Sequence, residues 1–199
     1  GVEAALIELG RGFIQHPANT ELRDQFQTGN LKRQEYYEEL LRLIYRLIFL
    51  FAAEDRNLLH VPAAPETARK AYIGGYSLHR LRERSVRNAS LDKNIDAWEG
   101  IKALFNALAD GQSALGLVAL GGLFEPQKLS NLTPLKIENK RFLKAVWHLS
   151  WFRPEGQTMT KVNWRDMETE ELGSVYESLL ELTPEVDLDA RDFTFAEGD

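Results

Sequence analysis

The chain has 199 residues, 44% of them hydrophobic, and a formal net charge of -6, enough for one sizeable core that buries about 70% of the unfolded surface. It has no cysteine and four histidines, which excludes disulfides, a thiolate nucleophile and zinc-cysteine sites, and fits a reducing, cytoplasmic setting. The longest apolar run, residues 43–53, is too short to span a bilayer and is interrupted by Arg46, so no membrane partner is expected. Gly1 at the start and a polar tail at 196–199 suggest a segment cut from a larger protein.

Charge is unevenly spread. Residues 1–60 carry 7 basic and 9 acidic side chains, residues 61–154 carry 14 and 8, and residues 155–199 carry 3 and 13. A basic middle beside an acidic end suits either a polyanion-facing surface or plain solvated charge.

In chain order, Leu6, Leu9 and Phe13 at helical spacing predict a helix over 2–14, broken at Pro17 and restarted at Thr20. Residues 32–54 carry the strongest helical pattern. Tyr37, Leu40, Leu41, Ile44, Leu47, Ile48 and Phe51 fill one face, widened by Leu43 and Phe49, as in a nearly enclosed central helix. Glu35, Glu38 and Glu39 suit its N-terminal end. Helices follow over 66–73 and 76–86, separated by Gly74-Gly75, and over 96–109, stopped at Asp110-Gly111. Residues 115–124 read as one short helix and then irregular structure. A helix over 139–151 comes next, then a short strand at 161–164, a helix over 168–182 and an alternating stretch, 185–195, that forms a hairpin. The expected fold is mainly α, an irregular multi-helix bundle with a short C-terminal β-hairpin. Residues 1–155 form its helical core, and residues 156–199 form a C-terminal helix and strand segment.

Chemical signatures are sparse. Neither a P-loop nor a G-x-G-x-x-G motif occurs, and there is no G-x-S-x-G. Glu138-Asn139-Lys140 has the Glu-x-Lys spacing of a metal-dependent nuclease, but it falls at a helix start with no acidic partner on a strand. His16, His60, His79 and His148 show no ligand spacing, so each is expected to be structural. The basic constellation Arg69, Lys70, Arg80, Arg82, Arg84 and Arg87, interleaved with Tyr72 and Tyr76, is the one candidate site. On a helix Arg80, Arg84 and Arg87 share a face that could lie along DNA phosphates. The alternative is a solvated face paired with the acidic C-terminal part. Glu54 or Asp55 could pair with Arg56 or with an arginine of the basic helix, fixing how that helix docks.

Several phrases together resemble one family. Residues 47–59, Leu-Ile-Phe-Leu-Phe-Ala-Ala-Glu-Asp-Arg-Asn-Leu-Leu, are similar to a phrase of single-chain type IIG restriction-modification enzymes and related phage-defence adenine DNA methyltransferases. Tyr-Ser-Leu-His-Arg-Leu-Arg at 76–82, Gly-Gly-Leu-Phe at 121–124 and Leu-Gly-Ser-Val-Tyr-Glu-Ser-Leu-Leu-Glu at 172–181 follow in the family's order. The resemblance implies a helical spacer without catalytic residues, next to a methyltransferase domain that uses S-adenosylmethionine. Where a nuclease domain precedes the spacer, it would use Mg. The implied partners are those adjacent domains and duplex DNA. The cofactor-binding glycine motif and an Asn-Pro-Pro-Tyr motif, whose ring stacks on a flipped adenine, would follow this segment. The alternative is a protein-interaction module whose apolar grooves, around Trp147, Trp151 and Phe152, dock another chain.

Overall fold

The computed structural model describes residues 1–198. Its eight α-helices are α1 (Val2–Gln15), α2 (Thr20–Thr28), α3 (Arg33–Asp55), α4 (Glu66–Gly75), α5 (Leu78–Ser85), α6 (Asp96–Asp110), α7 (Asn139–Ser150) and α8 (Thr169–Leu180). Two two-stranded antiparallel ribbons complete it: β1 (Trp151–Phe152) with β2 (Thr160–Lys161), and β3 (Pro184–Asp187) with β4 (Asp192–Phe195). The fold is mainly α.

Apolar patterning places α3 at the centre. Its buried positions run from Tyr36 to Ala53 and include Arg46 and Glu39, so the helix is wrapped on nearly every side. The most extensive helix pairing is α1 on α7, and two glycines of α1 set how closely its neighbours approach. A Cβ at Gly12 would overlap the Ile137 side chain, and one at Gly10 would overlap the Phe193 ring. Around Trp98, fully buried on α6, Phe13 packs edge-on at 5.6 Å and Phe142 lies tilted at 5.8 Å. The Trp98 indole N–H donates to the Leu135 carbonyl at 3.1 Å, so its polar edge is satisfied within the core.

Local chemistry accounts for several boundaries. Gly29 ends α2 at φ 80, and Gly111 follows α6 at φ 81, conformations that cost little without a Cβ. Glu168 and Glu171 form a reciprocal capping box at the start of α8. Between α6 and α7, residues 113–115, 121–124 and 126–129 coil as three separate 3-10 turns, not one short helix followed by irregular chain.

Two expected elements differ. The helix over 139–151 stops at Ser150, because Trp151 and Phe152 turn extended and pair with Lys161 and Thr160. The strand expected at 161–164 shrinks accordingly to Thr160–Lys161, and Trp164 instead tucks its ring inward and donates to the Leu149 carbonyl at 2.7 Å.

The hairpin pairs Val186 with Phe193 and closes through Asp187 and Asp192. Phe193 and Phe195 stack edge-on upon Tyr36 and Tyr37 of α3, and Asp192 pairs with Arg11 of α1. One hydrophobic cluster therefore takes side chains from both the first 155 residues and the acidic last 44.

Asn139, fully buried at the start of α7, joins α6 to α7. Its carbonyl accepts from Ala97 N at 3.0 Å, and its amide donates to Asp92 at 2.8 Å and Asp96 at 2.7 Å. Asn139→Ala strands these partners and is expected to cost about 2–3 kcal/mol. Chemical denaturation would measure it, and a midpoint shift too small to register would contradict the assignment.

Candidate functional site

The candidate residues gather where α3 ends and α4 and α5 begin. Helix α5 is short, with basic residues throughout, so its N-terminal N–H groups need partners from elsewhere. Ser77 supplies one, its hydroxyl accepting from Arg80 N at 3.1 Å. The last turn of α3 supplies the others. Glu54 Oε1 accepts from Leu78 N at 2.6 Å and from the Tyr72 hydroxyl at 2.9 Å, while Oε2 accepts from His79 N at 3.3 Å. One carboxylate thus ties α3 to both α4 and α5, at the positive end of the α5 dipole.

This is the joint expected from Ala-Glu-Asp-Arg at 53–56, with a correction to its chemistry. Glu54 acts through backbone amides and a tyrosine, without an ion pair to Arg56. Arg56 instead donates to the Arg165 carbonyl at 2.8 Å, and Asp55 forms no ion pair among the described residues.

Burial dominates the electrostatics. It pushes the Glu54 carboxyl up to about 7, against the opposing pull of the Leu78, Tyr72 and His79 donors and the nearby Arg82 charge. Burial beside Glu54 also raises the Tyr72 hydroxyl well above its ordinary range. The joint opens into a cleft of about 400 Å³ that Glu54, Asp55, His60, Glu66, Arg69 and His79 help to line. His60 lies edge-on to Tyr72 at 5.2 Å, and its Nδ1 is buried without a partner. Among the described residues no group of three or more His, Asp or Glu side chains is positioned to hold a metal.

The six basic candidates do not form one stripe. Arg69 turns back on its own loop, donating to the Ala64 and Val61 carbonyls at 3.3 Å each and to Asn57 at 3.4 Å. Arg82 is buried, 4% exposed, with its guanidinium 4.7 Å from the Phe51 ring centroid. Leu78, Leu81, Arg82 and Ser85 are the buried face of α5, a 0, 3, 4, 7 spacing that would have placed Arg82 inside had it been weighed against the basic pattern that made Arg82 a DNA-contact candidate. Arg80 is half-buried, and Arg84 pairs with Asp96 at 3.0 Å. Arg87 lies beyond the last turn of α5, so it does not continue the face of Arg80 and Arg84, and it is exposed, as is Lys70.

Nor does the acidic end close over these residues. Its one ion pair to the rest of the described chain is Asp192 with Arg11. Buried Nε and Nη2 atoms of Arg82 lack hydrogen-bond partners, and burial lowers its basicity. A buried cation with unmet donors costs stability. Arg82→Met is therefore expected to leave the melting temperature unchanged or higher, and a drop of several degrees in calorimetry would argue against this reading.

The remaining candidates are dispersed. Glu138 precedes the first turn of α7 and Lys140 is exposed within that turn, so the pair sits on a helix and not on a strand. His79 pairs with Glu83 at 3.4 Å on an exposed face, and His148 packs edge-on against Trp147 at 5.2 Å. Trp147 and Trp151 are half-buried, and Phe152 is exposed.

No protein-family model, curated protein or solved structure matches this chain. No helix among the described residues is long and apolar enough to cross a membrane.

Proposed function

We propose that the chain is a non-catalytic helical connector of a restriction-modification enzyme or related adenine DNA methyltransferase, holding neighbouring catalytic domains at a fixed distance and orientation. The observation that carries this reading is the Glu54 joint. It brings the phrase at 47–59 against the phrase at 76–82, and both phrases serve packing and helix capping without aligning reactive groups. A rigid, multiply bonded corner between helices suits a spacer. Catalysis, with S-adenosylmethionine and any Mg, belongs to the adjacent domains, and Lys70, Arg87 and the half-buried Arg80 are the residues of the basic set left to touch DNA phosphates, Arg84 being engaged by Asp96.

The coding sequence on either side of these residues tests the proposal. A methyltransferase glycine motif and an Asn-Pro-Pro-Tyr motif are expected downstream, and a flanking frame with neither removes the reading. For the DNA contact, duplex affinity should be weak, fall steeply with salt, and drop further in a Lys70→Ala/Arg87→Ala variant. Affinity indifferent to salt and to both replacements would leave the connector without a DNA role. The exposed Phe152, 46% accessible, favours a second reading in which this end docks another protein. Self-association or pull-down lost on Phe152→Ser would support that.

A further inference from the structure

A second pocket lies away from the basic helix, on the other side of α3. This open cleft measures about 650 Å³ and is lined by Arg42, Tyr45, Arg46, Gln127, Lys128 and Tyr176 among others, which places it within the size range of small-molecule sites. Arg42 and Arg46 stand one turn apart on α3 and so lean to the same side. The 3-10 turn at 126–129 supplies Lys128, and α8 supplies Tyr176.

Arg46 is the unusual group. It is 2% exposed, its guanidinium carbon 4.9 Å from the Phe105 centroid and 5.6 Å from that of Phe124, against two rings that themselves pack at 5.6 Å. One N–H donates to the Glu125 carbonyl at 2.9 Å. No carboxylate lies within ion-pair reach of Arg46, Arg42 or Lys128 among the described residues.

Glu38, one turn before Arg42, makes no ion pair with it, and two further acids have other partners. Glu39 accepts from Asn131 and Leu132, and the Glu125 side chain is held by Gln127 at 3.2 Å. Arg42 donates to the Lys128 backbone carbonyl at 3.2 Å, which ties it to the turn that carries Lys128. Burying a cation without an anion is costly, and buried charges are ordinarily paired. Burial and the neighbouring Arg42 push the Arg46 guanidinium down to about 10. An anion entering the pocket would relieve this strain.

Three cations suit a phosphate better than a single carboxylate. The pocket is far larger than a bare phosphate needs, and the Tyr45 and Tyr176 rings, 6.4 Å apart and nearly perpendicular, offer it aromatic surface. We propose that this pocket binds a nucleotide, its phosphates on Arg42, Arg46 and Lys128 and its base against Tyr45 and Tyr176. The nucleotide is either free in solution or part of a single DNA strand. The proposal does not depend on the connector reading, because it uses none of the α4–α5 residues.

Calorimetric titration of the full chain with ATP, with a short single-stranded DNA, with adenosine and with inorganic phosphate tests it. ATP or the oligonucleotide is expected to bind with micromolar to millimolar affinity, and adenosine at least tenfold more weakly. Arg42→Ala and Lys128→Ala, both at exposed positions and therefore tolerated by the fold, should each weaken binding roughly tenfold. Tyr45→Ala should weaken ATP but not inorganic phosphate. Tighter binding of ATP identifies a free nucleotide, and tighter binding of the oligonucleotide identifies a strand. Lys70→Ala and Arg87→Ala should leave both unchanged. Failure of ATP and oligonucleotide alike to bind at millimolar concentration, or binding indifferent to Arg42→Ala and Lys128→Ala, overturns the proposal and leaves the connector reading untouched.

Discussion

Replacing Glu54 by alanine is expected to destabilise the fold by about 3 kcal/mol, the loss of a helix cap together with a stranded buried hydroxyl. Three donors lose their acceptor at once: the Tyr72 hydroxyl and the amides of Leu78 and His79. Glu54→Gln should cost far less. The two shorter bonds both end on Oε1, which a glutamine carbonyl can replace, and only at the 3.3 Å contact from His79 does the amide NH2 set a donor against a donor.

The same pair of variants gives a pH signature. The folded chain holds the Glu54 proton up to about pH 7, whereas the unfolded chain releases it near pH 4.3. Between those values folding takes up a proton, so this contribution is fully present below the lower value and is lost as pH rises through 7. Relative to Glu54→Gln, the native protein should therefore lose stability between about pH 4.5 and 8, by an amount on the order of 3 kcal/mol at most. Parallel curves for the two proteins over that range would show that Glu54 is already ionised in the fold.

How far the sequence anticipated these features depends on their range. The central helix was readable because its apolar residues repeat locally, and the hairpin because Val186, Leu188, Phe193 and Phe195 alternate. β1 was not, since Trp151 and Phe152 prolong the apolar face of α7, and their partners Thr160 and Lys161 are exposed and carry no alternation. The Glu54 cap spans 24 residues to Leu78, beyond any local capping pattern, so the sequence pointed to the right stretch but to an ion pair. Arg46 interrupts an apolar run, which weighed only against a membrane span and said nothing of its burial. It lies buried because α3 is covered on nearly every side, and its pocket depends on turns about 80 residues later and on α8, which no spacing rule relates.

Phe193→Ala should be the other large loss, about 3–5 kcal/mol for a fully buried aromatic ring, or roughly 10 °C in melting temperature for a chain of this size. The ring occupies the space left by Gly10, stacks edge-on upon Tyr36 at 5.8 Å, and covers the bond from the Tyr36 hydroxyl to the Gly10 carbonyl at 2.8 Å. Gly10→Ala places a methyl group inside that ring and should cost about 1–3 kcal/mol. In the double variant the methyl group enters the vacated cavity, so the combined loss should fall short of the sum by about 1 kcal/mol or more. Such coupling would tie the C-terminal hairpin and the first helix into one cooperative unit. Strictly additive losses, or a Phe193→Ala melting temperature near that of the native protein, would mean that the hairpin rests on the helical core without contributing to it.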